Sequence, residues 1–438
     1  MNPHTLLPEP PPMVALEPPE DPRRDRSGRA RCSGQPLGLY IHIPFCLERC
    51  PYCDFNTYAG LDHLFEPYVD ALVAELQGWA QALGHPRVDT VFLGGGTPTV
   101  LPSRLLARIL ESVAQAYRLE PGCEITSEAN PGTGDRPRFA ALRSLGINRL
   151  SMGAQSFQAH ELRFLGRGHG PEDVVRAFRA ARAAGFENIN LDFIFGLPEQ
   201  APEDWADTLD QALALAPEHL SLYSLMVEPH TPLFHWVQRG RVSPPDDDRA
   251  AWLYEMALDR LEGAGYIQYE ISNWARTHQA QGDPAAQPTY ACRHNLHYWR
   301  NEEYLGVGAG ACGHLCRGAP PLAWRPEALH GIRWENHRPV AGYIRRIQDR
   351  GHAVRTQDPI SPAMAMAESM MLGLRLVREG VSRERFARRH SRGLDQVYGA
   401  PIAELEQEGL VEWVGDCLRL TRRGLLLGNR VAMAFLPD

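Results

Sequence analysis

The stretch YIHIPFCLERCPYCDF, residues 40–55, holds three of the chain's nine cysteines, Cys46, Cys50 and Cys53, spaced C-x3-C-x2-C. An apolar run of strand length leads into it, so the thiols fall just past a strand end. Structural zinc takes four protein ligands and closes its own shell. Here no fourth cysteine is local, Asp54 and Phe55 follow Cys53, and His42 lies back in the strand. Thiolates in such a loop also hold iron–sulfur clusters. Three thiolates leave one iron of a [4Fe-4S] cluster open, and an open iron takes a chelating amine and carboxylate. S-adenosylmethionine carries both, and there its sulfonium adjoins a one-electron donor.

Beyond the loop the chain alternates. GLYIHIPF, VDTVFLGGG, CEITSEANP, INRLSMGAQSF, ENINLDFIFGLP and HLSLYSLMVE read as strands, with helical periods such as SRLLARILESVAQAY between them. Six successive βα units predict an α/β fold, a partial (β/α)6 TIM-like barrel. In such sheets the active site lies at the carboxyl ends of the strands. Every distinctive polar motif falls there: Gly96 and Thr97 in LGGGTPT (93–99), Glu128 in SEANPG, Gln155 in MGAQSF, Arg167 in LGRGH and Asp192 in LDFIFGLP. The glycines let backbone approach a ligand. The acids suit ribose hydroxyls, and the arginine suits a carboxylate. Singly, such a residue is more often a capping or surface residue; together, at successive strand ends, they can bind one ligand.

Four segments are expected. Residues 1–35 are Pro-rich and charged, a disordered tail whose Arg cluster suits a transit peptide but whose Glu and Asp oppose one. Residues 36–245 form the barrel. Residues 246–357 extend it, with 318–357 irregular. Residues 358–438 form an α-rich, winged-helix-like module. The net charge of −8 removes the electrostatic case for nucleic acid. No run approaches the roughly 18 apolar residues of a membrane span, no apolar signal core is present, and the cysteine usage fits a reducing cytoplasm. Cys32, Cys123 and Cys417 read as ordinary thiols. CGHLC (312–316) sets Cys312, His314 and Cys316 on one strand face, without the spacing of a known metal knuckle.

YIHIPFCxxxCxYCDF, GGGTPT, SMGAQSF, DFIFGLP and HNxxYW together resemble the radical S-adenosylmethionine superfamily. Within it they are similar to the oxygen-independent coproporphyrinogen III oxidase group, and within that group they resemble the HemW-type heme chaperones, over about residues 36–435. The resemblance implies a [4Fe-4S] cluster on Cys46, Cys50 and Cys53. It implies S-adenosylmethionine contacts from Tyr40, Gly96, Thr97, Glu128, Gln155, Arg167 and Asp192, with Met226 as a backbone contact. It makes His294 of CRHNLHYW (292–299) the candidate heme ligand and His297 the second, between Tyr298 and Trp299; a packed aromatic segment with a hydrogen-bonded histidine is the competing reading. The oxidases carry a further cysteine two positions after the third ligand, where this chain has Phe55. That favours a heme chaperone, delivering heme to an acceptor such as a respiratory-chain protein, over oxidative decarboxylation of coproporphyrinogen III. A homodimer is compatible with the resemblance.

Overall fold

The computed structural model describes residues 35–278, 286–316, 319, 321–322 and 330–437. The expected disordered tail, but for Gln35, lies outside them, as does Cys32. Six parallel strands stand in chain order: β1 (Leu37–Ile43), β2 (Arg87–Gly95), β3 (Arg118–Ala129), β4 (Arg149–Gln155), β5 (Ile189–Phe195) and β6 (His219–Ser224). Side chains alternate across a strand, and here the two faces differ in chemistry. The outward set, including Leu39, Ile41, Val91, Leu93, Leu150, Leu191 and Leu220, is fully buried beneath helices such as α1 (Phe65–Ala82) and α2 (Ser103–Ala116). Each such side chain contributes about 1.5–3 kcal/mol by burial. The inward set is polar and aromatic and forms the lumen wall. The partial-barrel expectation holds.

The sheet stays open. With β7 (Ile267–Glu270), β8 (Asn273–Ala275), β9 (Tyr304–Val307), β10 (Cys312–Leu315), β11 (Gly331–Asn336) and β12 (Val354–Ile360), its strands run in the order β12-β11-β10-β9-β1-β2-β3-β4-β5-β6-β8-β7. The hairpin of β7 and β8 adds antiparallel to β6. On the other side β9 lies parallel to β1, followed by antiparallel β10, β11 and β12. Much of 318–357, expected to be irregular, thus forms strand, helix and strand, and the last strand runs across the expected boundary at 357 to Ile360. The charges of β11, Arg333 and Glu335, occupy one face, while Ile332 and Trp334 are buried on the other.

CRHNLHYW contributes a short helix, α3 (Arg293–Trp299). Helix α4 (Val340–Arg350) packs on α1. The C-terminal module has helices α5 (Pro362–Gly373), α6 (Arg383–His390) and α7 (Leu394–Gln407), and a small sheet, β13 (Val381–Ser382), β14 (Val411–Val414) and β15 (Cys417–Leu420), with β15 central. Ser361 and Ser382 accept hydrogen bonds from Met364 N–H and Arg385 N–H, capping α5 and α6. The module has its own core around Met370, Phe386, Leu405 and Leu418. Among the described residues no helix is long and apolar enough to cross a membrane.

Candidate functional site

The cysteine loop follows β1 and is fixed at both ends. Cys53 N–H donates to the Cys50 carbonyl at 3.2 Å, closing a tight turn. Behind it, Gly96 N–H donates to Ile43 O and Thr97 N–H to Phe45 O, both at 2.8 Å. A side chain at Gly96 would put its Cβ 2.5 Å from Phe45 O, and one at Gly95, whose φ is +109°, would meet the His42 ring at 2.3 Å. The glycine tract therefore seats the cysteine loop itself, a role that sequence reading, which gave it to ligand approach, did not foresee. His42 bonds Tyr40 OH (2.9 Å) through Nδ1 and the Asn56 carbonyl (3.0 Å) through Nε2. Asn56 Nδ2 donates to the carbonyls of Ala309 and Arg338, both at 2.9 Å. The far end of the loop is thus held by the sheet extension.

Polar groups converge on the sulfurs. Thr97 Oγ1 lies 3.7 Å from Cys46 Sγ, and Arg167 Nη1 lies 3.4 Å from Cys50 Sγ. Arg167 Nη2 also donates to Gly153 O at 2.9 Å and to Asn130 Oδ1. Asn130 Nδ2 in turn donates to Thr97 Oγ1 at 3.0 Å. Asn130 went unread in SEANPG, where the acid drew attention. Gln155, at the end of β4, adopts φ +69°, uncommon for a side-chain-bearing residue and frequent at ligand sites. Burial pushes the Cys46 and Cys53 thiols up.

The loop fits a cluster better than a single ion. Sulfurs on one tetrahedral zinc would lie about 3.8 Å apart. Among the described residues the trio of metal-ligating atoms within 4.8 Å of one another is that of His160, Glu161 and Asp204, not the cysteines. Glu161 is already bonded to Ser156 and Gln200. Cys312, His314 and Cys316 form no such trio either; His314 Nδ1 meets Glu302 O at 3.2 Å, and Cys312 is exposed.

Inside the barrel lies a cavity of about 200 Å³, lined by Tyr40, Phe92, Glu128, Arg149, Asp192 and His294 among others. Three of the predicted contacts, Tyr40, Glu128 and Asp192, therefore meet on one wall. Gly95 N–H donates to Glu128 Oε2 at 2.9 Å. Loss of solvent, reinforced by the Asp192 charge, pushes the Glu128 carboxyl up to about 8. Asp192 is also raised by burial, although Ser151 Oγ (3.0 Å) and Asn190 Nδ2 (2.8 Å) donate to it. Met226 stands apart: it is 66% exposed, past the end of β6, and does not line the cavity.

The HNxxYW segment plugs the base of the barrel. The N–H groups of Arg293 and His294 donate to the Glu124 carboxylate, both at 3.1 Å. Below, Arg375 of the C-terminal module stacks on the Trp299 ring at 4.3 Å, and Arg300 pairs with Glu379 at 2.8 Å. Both His294 nitrogens are engaged, Nδ1 with Thr90 Oγ1 (2.8 Å) and Nε2 with Tyr298 OH (2.9 Å), and burial lowers its pKa to about 3. In this arrangement no His294 nitrogen is free for iron. His297 sits between Asp89 (2.8 Å) and Glu302 (2.9 Å). Burial opposes its charge, but the two carboxylates outweigh that and raise it to about 9. The two carboxylates hold both ring nitrogens, so His297, like His294, would have to give up a partner before it could meet iron.

Residues 40–212 match the Radical SAM superfamily, and residues 360–427 match the HemN C-terminal domain. The chain is 37% identical over 402 residues to the heme chaperone HemW of Bacillus subtilis (strain 168), covering 91% of this chain and 99% of that one. It is 42% identical over 282 residues to the heme chaperone HemW of Escherichia coli (strain K12), covering 64% and 70%. The coproporphyrinogen III oxidase HemN of E. coli, a radical SAM enzyme, shares the fold with a TM-score of 0.74 at 23% identity, covering 91% of this chain and 90% of that one. With near-complete coverage of such relatives on a radical SAM barrel, the chain belongs to the HemW heme chaperone family.

Proposed function

We propose that the protein is a cytoplasmic heme chaperone that binds heme, a [4Fe-4S] cluster and S-adenosylmethionine, and passes heme to an acceptor protein. The observation that carries this reading is full-length kinship with the chaperones together with a cysteine loop that ends in Phe55. Cys46, Cys50 and Cys53 would hold the cluster, which when bound supplies one electron at the open iron. Arg167 sets a positive charge against the thiolate ligands. Tyr40, Glu128, Asp192, Gln155 and the Gly96–Thr97 backbone are proposed to hold the nucleoside; Met226 remains a proposed backbone contact. The acceptor is proposed to be a respiratory-chain protein, and a homodimer is part of the same reading.

Phe55 is 64% exposed beside the loop and can neither ligate iron nor transfer a proton. Anaerobic protein with reductant and S-adenosylmethionine should therefore yield no protoporphyrinogen IX from coproporphyrinogen III, while heme-loaded protein should transfer heme to an apo-acceptor, followed by difference spectra. Multiple-turnover porphyrinogen oxidation would install the oxidase in place of the chaperone.

Ligation of heme by His294 requires Tyr298 to release Nε2. A cavity of about 200 Å³ is also smaller than the roughly 300–1,000 Å³ of ordinary ligand pockets, so α3 must leave its seat on Glu124 before a macrocycle can reach the ring. Tyr298→Phe weakens the closed state and should tighten heme binding severalfold, whereas His294→Ala should alter the Soret band. Unchanged spectra and affinities in both variants would place the ligand elsewhere.

A further inference from the structure

Asn130 carries hydrogen bonds that no step of the proposed function uses. It directly follows β3 and precedes Pro131, which confines it to extended backbone, φ −105° and ψ 147°. Thr133 fixes its main chain: Thr133 N–H donates to the Asn130 carbonyl at 2.9 Å, and Thr133 Oγ1 accepts Asn130 N–H at 3.2 Å. The amide side chain is left to face the cysteine loop. Its Oδ1 accepts from Arg167 Nη2, and its Nδ2 donates to Thr97 Oγ1 at 3.0 Å.

The two contacts differ in sense, and that decides where the next protons go. A threonine hydroxyl has one proton. Thr97 Oγ1 accepts from Asn130, so its own proton points to Cys46 Sγ, 3.7 Å away. Arg167 Nη2 is tied to Asn130 and to the Gly153 carbonyl, which turns Nη1 onto Cys50 Sγ at 3.4 Å. One amide thus aims two donors at two different sulfurs, in an unbroken arc from Cys46 through Thr97, Asn130 and Arg167 to Cys50. Thr97 is only 3% exposed, so its proton is shielded from water. The third sulfur, Cys53 Sγ, lies outside the arc, 3.9 Å from Thr57 Oγ1.

We propose that Asn130 is a positioning residue for the cluster: it aims the Thr97 hydroxyl and the Arg167 guanidinium at two of the three thiolates and so raises the cluster's reduction potential. The inference rests on the cluster reading above. Hydrogen bonds to ligand sulfurs set such potentials. Reduction adds one negative charge, and donors pointed at the sulfurs stabilise the reduced form more than the oxidised one. Without that aim the cluster is harder to reduce.

Full-length protein, reconstituted anaerobically and free of S-adenosylmethionine, is taken through a redox titration followed by the reduced-cluster EPR signal, with iron and sulfide counted in every sample. Asn130→Ala should keep near-native iron, while its ratio of reduced to oxidised cluster at a fixed potential falls about tenfold, a shift of about 59 mV for one electron. Asn130→Leu, which fills the same space without a polar atom, should do the same, so a lost packing contact is not the cause. Thr97→Val should lose about threefold, and Thr97→Ser, which keeps the hydroxyl, should match the native protein. Once Thr97→Val and Arg167→Ala are combined, adding Asn130→Ala should change the ratio by less than about twofold, because Asn130 acts through those two residues. Full iron with a native ratio in both Asn130 variants overturns the proposal, and so does a native ratio in Thr97→Val. Loss of iron in both Asn130 variants overturns it as well, since Asn130 would then hold the loop and not aim donors. Native protein that takes up neither iron nor sulfide defeats the cluster reading itself, and the proposal falls with it.

Discussion

Replacing Cys50 by Ala should strip the protein of most of its iron. Anaerobically reconstituted native protein is expected to hold about four irons and four sulfides per chain, and the variant less than about one. Cys50 is the middle ligand of the loop, and its carbonyl closes the turn that positions Cys53. Two thiolates do not retain a cubane against competing thiols. Arg167→Ala separates holding from tuning: it removes the charge 3.4 Å from the Cys50 sulfur and the bridge to Asn130, yet takes away no ligand. Its iron content should stay near native while the EPR response to S-adenosylmethionine weakens. Stoichiometric zinc without sulfide in the native protein would sink the cluster.

Glu75→Leu should be among the most destabilising single changes in the chain. Glu75 is fully buried in α1, and its carboxyl accepts Gly308 N–H (2.8 Å), Asn336 Nδ2 (2.7 Å) and Tyr343 OH (2.7 Å). One side chain therefore joins the first barrel helix to the β9–β10 turn, to the end of β11 and to α4. Leucine leaves three buried donors unmet, at about 1–3 kcal/mol each. The thermal midpoint should fall by about 10 °C or more. Burial raises the Glu75 carboxyl from 4.5 to about 7 despite those donors. Its proton is thus held more tightly folded than unfolded. The associated stability is fully present below pH 4.5 and is lost as pH rises through 7. Native protein should melt lower at pH 8 than at pH 5.5, and Glu75→Gln, which titrates in neither state, should flatten that slope. A slope unchanged in the Gln variant would assign the pH dependence to other groups.

The barrel was legible because its six strands are apolar-rich runs of strand length set between helical periods, and its mouth because the distinctive polar motifs gather at the strand ends. Glu128 and Asp192 could be placed on one wall from strand position alone. What escaped depends on partners distant in sequence. The role of HNLHYW as a plug is set by Glu124, about 170 residues earlier, and seven residues are too few to display a helical period. Strand β11 carries charge at alternate positions, Arg333 and Glu335, which reads as surface loop until the neighbouring strand is known. Arg149 did give a signal, a cation inside an apolar strand, that pattern reading passed over because it scores runs and not exceptions.

The sheet order also dictates a timetable for synthesis. β1 is the first strand made, yet it lies in the middle of the sheet, between β2 and β9. About 260 residues separate the end of β1 from the start of β9. At ordinary elongation rates of roughly 5–20 residues per second, one edge of the founding strand stays unpaired on the ribosome for on the order of ten to fifty seconds. An open parallel edge bearing Leu39 and Ile41 is a template for other chains throughout that interval. The cysteine loop hangs from that same strand, and Asn56, which ends the loop, has no Ala309 or Arg338 to grip until later still. A metallocluster delivered during translation would thus meet a loop still free at its far end, and the nascent chain would fix that loop only after the extension emerges.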